Sequence, residues 1–512
     1  MLKSGTMKRK SSVCAFFILI MVSVPLAGCA AKSAARVQSP AAAADNLGHL
    51  RYDLARIFSD QNFASAQWGV AVISLDRGDI LFEQNATRLY MPASNNKILT
   101  AASALIRLGP DYRFETRISA DGVVSDGILK GNLVVTGAGD PTLAPRFHEN
   151  DPFRVFKEWA AKLKEKGIRR IEGAVVGDGR AFPAPLLGRG WEWDDLAYGY
   201  AAPVSALQFN ENLYTVEVTP GEAEGAPAAV KCSPLPDYVS IDARVTTIAE
   251  GSRGRVEVQR GERSESVVIR GTIAAKADAD STSLAVELPD HYYLAALKKT
   301  LQDEGIDLTN AVLRVPGESD PATPGAGQLL WTHTSPTLAE ILKPLLKVSQ
   351  NLYAETLMRT LGLVVSGQGG FEAGREAVQA TLERMAIPRG TYAYVDGSGL
   401  SRQNLVSADM LIRIFKFMYR NRNFAAFYDA LPIAGVDGTI RGRLRGTKAE
   451  NNVHGKTGTI AYVRCLSGYL KTVDGEMLAF AMIANNFLAS NQAAEYVQDA
   501  ALERLANFRR KE

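Results

Sequence analysis

The chain has 512 residues, 46% of them hydrophobic and 22% charged, with 58 Lys and Arg against 55 Asp and Glu. This is a globular composition, and it is too long for one core, because single cores stop growing at about 250–300 residues. Residues 1–28 hold four of the cations and no anions; the remainder carries 54 basic and 55 acidic groups, a net of −1, so there is no electrostatic case for nucleic acid.

In chain order, the first element is a targeting segment. Lys8, Arg9 and Lys10 precede an apolar run from Val13 to Val24 that is too short for a stop-transfer helix, so residues 1–28 read as a signal peptide. The run ends in Leu26-Ala27-Gly28-Cys29, which resembles the lipobox of bacterial lipoproteins and implies lipidation of Cys29. An ordinary signal cut further on, with Cys29 incidental, is the alternative. Residues 29–46 are small, polar and aperiodic, suited to a tether. Ala30, rather than Asp, after the lipidated cysteine implies outer-membrane sorting in a host with two membranes. The expected location is lipid-anchored and periplasm-facing.

A helix is predicted in "LGHLRYDLARIFSD", then two strands in "WGVAVISLDRGDILFEQN" around Asp76-Arg77-Gly78. In "YMPASNNKILTAASALIRLG", Ile98, Leu99, Ala102, Leu105 and Ile106 recur at helical spacing, in a helix expected to start at Ser94. Short β-rich pieces run from Arg113 to about Gly325, with a Pro- and Gly-rich middle from Pro220 to Pro236. Helical patterns return at Ser335, with Ser349-Gln350-Asn351 expected inside a helix. Two strands around Asp474-Gly475 and a helix from about Asn491 to Phe508 close the chain. Cys465 alternates with Val463 and Ala461 along the first of these strands and reads as a buried thiol; whether it pairs with Cys232 is open.

An economical arrangement is one α/β domain built from residues 47–112 and 327–512, interrupted by a β-rich insertion of two nested subdomains over residues 113–326. Three domains in tandem are the alternative, but then the Ser94 helix would work without the C-terminal half.

Ser94 and Lys97 form the one Ser-x-x-Lys in the chain. Serine needs a base within hydrogen-bond reach, and residues three apart share a helix face. A lysine buried beside other cations can have its pKa lowered enough to be that base. Backbone N–H groups at the helix start can stabilise an oxyanion. Downstream lie Ser349-Gln350-Asn351 and the one Lys-Thr-Gly, Lys456-Thr457-Gly458, followed by Thr459.

The ordered set Ser-x-x-Lys, Ser-x-Asn, Lys-Thr-Gly resembles the penicillin-recognising serine enzymes. Some 250 residues separate Lys97 from Ser349. That insertion resembles the D-alanyl-D-alanine carboxypeptidase/endopeptidase group of low-molecular-mass class C penicillin-binding proteins, as do "GAGDPTL", "GWEWDDLAYGYAAPVSAL" and "DGSGLSRQN". The resemblance runs from about residue 50 to the end. It implies an α/β (α+β) fold, with a penicillin-binding, β-lactamase-like transpeptidase domain carrying a large β-rich insertion. By motif it implies Ser94 as acylated nucleophile, Lys97 as base, and Ser349 as proton relay to the leaving amine. Asn351 would hold Lys97 and the substrate amide, and Lys456 would complete the cationic cluster. Thr457, Gly458 and Thr459 would hold the terminal carboxylate, with Ser94 and Thr459 N–H groups as oxyanion donors. Asp195 would bind the amino group of a diaminopimelate side chain, with Tyr200, Leu400, Arg402 and Ile460 in the same pocket. "WEWDD" as a surface turn and "SGLSR" as a Gly-rich turn with a solvated Arg are the bland alternatives.

The implied partners are peptidoglycan peptides and β-lactams, with the membrane reached through the lipid; no cofactor is implied. Oligomeric state is left open. The five histidines lack ligand spacing, which argues against a zinc peptidase, and no Gly-x-Ser-x-Gly elbow supports a Ser-His-Asp hydrolase. The rivals that remain are a β-lactamase or esterase on the same core, and a non-catalytic wall-binding lipoprotein.

Overall fold

Both ends of the chain meet in one antiparallel sheet. A computed structural model describes residues 46–260, 265–317 and 327–510; Cys29, the signal segment and most of the tether lie outside them. The five strands run in the order His454–Ile460, Val463–Lys471, Met477–Asn485, Gln67–Ser74, Ile80–Gln84. Every residue of Met477–Asn485 is buried, as a strand covered on both faces requires. Alternation then sorts its side chains. Leu478, Phe480, Met482 and Ala484 join Val70 and Val72 in a core that includes Leu50 and Leu54 of the Asn46–Ile57 helix and Leu502 and Leu505 of Asn491–Ala506. Ala479, Ala481 and Ile483 face the opposite way, onto Ile98, Leu99 and Ala102 of the Asn96–Arg107 helix.

The segment between these halves has its own core. Glu115–Ser125 and Ile128–Thr136 pair antiparallel in a six-stranded sheet, and two three-stranded sheets follow. One continuous apolar cluster, from Ile118 to Ala311, joins them. It also takes in two helices that the sequence reading left unassigned, Arg154–Glu165 and Pro289–Asp303, which bury Trp159, Tyr292 and Tyr293. The strand Gln328–Thr334, which the sequence boundary gave to the second half of the α/β domain, pairs with Glu115–Ser125 and is an edge of the six-stranded sheet. The inserted segment therefore closes near residue 334, not 326.

Three local expectations also need correction. The α-helix starts at Asn96, with Ser94 in the preceding 3-10 turn Ala93–Asn95. Ser349 lies between helices: Leu338–Lys347 ends, Ser349 takes φ +65°, and Asn351–Ser366 restarts with the Gln350 side chain accepting from Leu352 N–H. The closing segment is three strands, because Tyr462 at φ +63° turns the chain between Ile460 and Val463. Ala461 thus lies in a turn. Cys465 and Cys232 are both buried and free.

Candidate active site

The helix carrying Lys97 is buried along nearly its whole length, and its amine is withdrawn from bulk solvent. Lys97 Nζ instead lies 3.0 Å from Ser94 Oγ, 2.5 Å from Asn351 Oδ1 and 2.8 Å from the Ser398 carbonyl. Burial lowers its pKa to about 7, against the opposing pull of Glu355 and Asp396. Neither acid bonds to it directly. Glu355 is pushed up by burial and by Asp396, and its oxygens accept from Gly397 N–H at 2.9 Å and Ser398 N–H at 2.7 Å. Asp396 accepts from Gly399 N–H at 2.8 Å, Ser401 N–H at 2.6 Å, Asn404 Nδ2 at 2.8 Å and Trp191 Nε1 at 3.0 Å. The two carboxylates thereby shape the 396–404 turn, which presents the Ser398 carbonyl to Lys97. Gly399 has φ +85°, and a Cβ there would collide with the Ala93 carbonyl, so only glycine lets this turn pass the serine.

Ser349 Oγ accepts from Lys456 Nζ at 2.9 Å, and the same amine reaches the Thr457 carbonyl at 2.8 Å. Burial, then the charges of Lys97 and Arg464, push Lys456 well below the usual lysine range. Gly458 brings its strand against the serine turn: a Cβ there would lie 2.6 Å from the Pro92 carbonyl. Thr457 Oγ1 donates to Thr439 Oγ1 at 2.7 Å, and Arg464 donates to Thr459 Oγ1.

The inserted segment holds the Ser349–Asn351 stretch from the other side. Asn351 Nδ2 donates to the Tyr200 carbonyl at 2.8 Å. Buried Glu211 accepts from Gln350 Nε2 at 2.7 Å, from Tyr353 Oη at 2.8 Å and from Arg146 through Nε and Nη2. Asn210, Glu211 and Asn212 all sit at left-handed φ of 50°, 57° and 55°. Three consecutive non-glycine residues in that region store strain. The side-chain bonds of Asn210 to Leu213 O and of Asn212 to Pro203 O help hold the turn.

A cleft of about 570 Å³ is lined by Ser94, Asp195, Tyr200, Ser349, Asn351, Leu400, Arg402, Thr459 and Ile460 together. Asp195 accepts from Tyr200 Oη at 2.8 Å, and burial followed by this bond raises the phenol's pKa. Arg402 donates to Glu192 Oε1 at 2.6 Å and to the Ala461 carbonyl at 3.2 Å. Lys97, Lys456, Thr457 and Gly458 are buried and adjoin the cleft through Ser94, Ser349 and Thr459.

Sequence reasoning missed Glu355, Asp396, Glu211, Thr439 and Arg464. Two of them had a signal: Glu355 is one helical turn after Asn351, and Asp396 opens the quoted "DGSGL". Glu211 had none, since its partners are 65 to 142 residues away in sequence.

A sheet covered on both faces, with a lysine-paired serine at a helix start and a Lys-Thr-Gly edge strand beside it, defines the penicillin-binding-protein fold class. Residues 50–508 match the D-Ala-D-Ala carboxypeptidase 3 (S13) family, and the chain belongs to that family. It is 32% identical to a D-alanyl-D-alanine carboxypeptidase of Actinomadura sp. (strain R39), over 95% of this chain and 90% of that protein. It is 29% identical to the D-alanyl-D-alanine carboxypeptidase DacB of Haemophilus influenzae, over 82% of this chain and 85% of the relative. The crystal structure of penicillin binding protein 4 (dacB) from Haemophilus influenzae superposes with a TM-score of 0.77 at 27% identity, covering 90% of this chain and 99% of that one.

Replacing Glu211 with alanine removes an acceptor shared by Gln350, Tyr353 and Arg146. The loss of stability is expected to be about 1.5–3 kcal/mol, measured by chemical denaturation. An unchanged midpoint would show that the turn is not a support.

Proposed function

We propose that this chain is a serine D-alanyl-D-alanine carboxypeptidase and D,D-endopeptidase of peptidoglycan stem peptides, working through an acyl-enzyme at Ser94 and binding penicillin. The observation that carries the reading is the Lys97 amine, fully buried and 3.0 Å from Ser94 Oγ, with a pKa of about 7. Family membership supports the carboxypeptidase class. The structure of the Haemophilus influenzae protein complexed with a novel β-lactam, matched at a TM-score of 0.73 and 26% identity, supports β-lactam binding.

In this mechanism neutral Lys97 takes the Ser94 proton as Oγ attacks the carbonyl carbon of the penultimate D-Ala. The oxyanion accepts from the N–H groups of Ser94 and Thr459. The C–N bond then breaks, and the leaving amine gains a proton through Ser349 from the Lys97–Lys456 pair. Water attacks the ester with Lys97 again as base, releasing the shortened peptide and restoring the serine. Thr457 and Thr459, with Arg464 behind them, receive the substrate carboxylate, and Asp195 receives the ammonium of a diaminopimelate side chain. Lipidation at Cys29 would anchor the protein, facing the periplasm and on the outer membrane where the host has two.

Ser94→Ala should abolish labelling by fluorescent penicillin without lowering the melting temperature, and Lys97→Arg should fail although it keeps the charge. Because the neutral amine is the active form, acylation should fall about tenfold per pH unit below about 7 and level off above it. An adduct on another serine, or a tenth of the wild-type rate in Lys97→Arg, would refute these roles.

Asp195→Asn should cut turnover of diaminopimelate-containing peptides by roughly tenfold to a hundredfold while acylation by penicillin, which has no matching amine, is nearly unchanged. Equal losses on both would assign Asp195 to structure instead. Cys29→Ala should release the protein from membranes in fractionation; retention would rule out the lipid anchor.

A further inference from the structure

A second groove, of about 490 Å³, opens on the far side of the Ser349–Asn351 stretch. Tyr200, Ser349 and Asn351 line both it and the cleft containing Ser94, so the two cavities share one wall. Its other lining comes from the inserted segment and includes Ser281, Thr282 and Ser283. Successive residues of a strand point to opposite faces, so a cavity touched by three in a row runs along the strand's edge. Their strand, Asp280–Ala285, is the outermost of its three-stranded sheet. Beyond that sheet, its outer side makes a bridge from Leu284 to Tyr198 and a bond from Ala285 N–H to the Ala197 carbonyl. An edge of this kind can add an extended peptide. The aromatic end of the groove is the Tyr198–Tyr200 pair, whose rings stack at 5.6 Å and 12°.

We infer that this groove is the leaving-group subsite for the second stem peptide of a cross-link, a reading that rests on the Ser94 acyl-enzyme proposed above. Release of D-Ala alone needs room for one small residue beside Ser349. In a cross-link the same amide nitrogen belongs to the side chain of a neighbouring stem, so its departure leaves a whole peptide attached beyond Ser349. The groove begins there. The bond changes are those of the acylation step: the D-Ala carbonyl passes to Ser94 Oγ, and the amine of the second stem leaves with the relayed proton. Extended backbone lies along Ser281–Ser283, and Arg146, on the groove lining with its side chain 36% exposed, meets the stem's carboxylates with the guanidinium edge that Glu211 leaves uncovered.

The test places bulk on the strand, away from the catalytic groups, with Ser281→Trp and, separately, Ser283→Trp; both serines are exposed. Three rates are compared: cleavage of a D-Ala–diaminopimelate cross-linked dimeric muropeptide, D-Ala release from a monomeric pentapeptide, and acylation by penicillin. The dimer should lose tenfold or more in kcat/KM in at least one variant, with the other two rates within twofold of wild type. Dimer cleavage unchanged in both variants, or a loss shared equally by the pentapeptide, overturns the inference. So does a wild-type protein that trims pentapeptides and leaves dimers intact. A wild-type protein that penicillin does not acylate overturns the Ser94 reading and this inference with it, so the two failures are told apart.

Discussion

A lysine amine enclosed without a carboxylate in contact is the constraint on which the rest of the structure depends. Lys97 meets three oxygens: a hydroxyl, an amide and a backbone carbonyl. A direct ion pair would hold the amine protonated, and bulk water would return it to its ordinary range. The fold prevents both. The sheet covers the helix on one side, and buried helices, Asn351–Ser366 among them, cover it on the other. The two nearest acids face backbone N–H groups of the 396–404 turn. They temper the fall in pKa that burial causes, and the amine comes to rest near neutrality.

That enclosure draws on distant stretches of chain. Trp191 of the inserted segment holds Asp396, the Tyr200 carbonyl holds Asn351, and Glu211 holds Gln350. These bonds help to fix Asn351 and the Ser398 carbonyl against Lys97. The inserted segment is therefore part of the site as well as a neighbour to it, and it contributes Asp195 to the cleft wall. Preorganisation of this kind matters because hydrogen-bond donors aimed before reaction stabilise developing charge without reorganising.

Local patterns carried much of the architecture. The helical repeat after Ser94, the hairpin at Asp76-Arg77-Gly78 and the closing strands are written in near-neighbour periodicity, and each has its counterpart among the elements. The misreadings fall where the backbone departs from its commonest regions. Ser349 at φ +65° interrupts an apolar pattern that reads as continuous helix, and Tyr462 at φ +63° breaks what reads as one strand. Both are non-glycine residues in a region that L side chains seldom occupy, so composition gives no warning. The inserted helix Arg154–Glu165 shows the opposite case: its pattern is amphipathic, but the β-rich texture around it masked the signal.

The sequence by itself determined the chemistry on offer: one Ser-x-x-Lys, one Lys-Thr-Gly, a Ser-x-Asn between them, and an insertion long enough to form a core of its own. Reactive residue types and short spacings are properties of adjacent positions, and a helix or a strand translates them directly into space. Only the tertiary structure decided which groups surround Lys97, which acids are spent on backbone N–H groups, and which strand edge borders Ser349. Most of those relations join residues tens to hundreds of positions apart, through burial and hydrogen bonds that exist only after the chain has closed on itself.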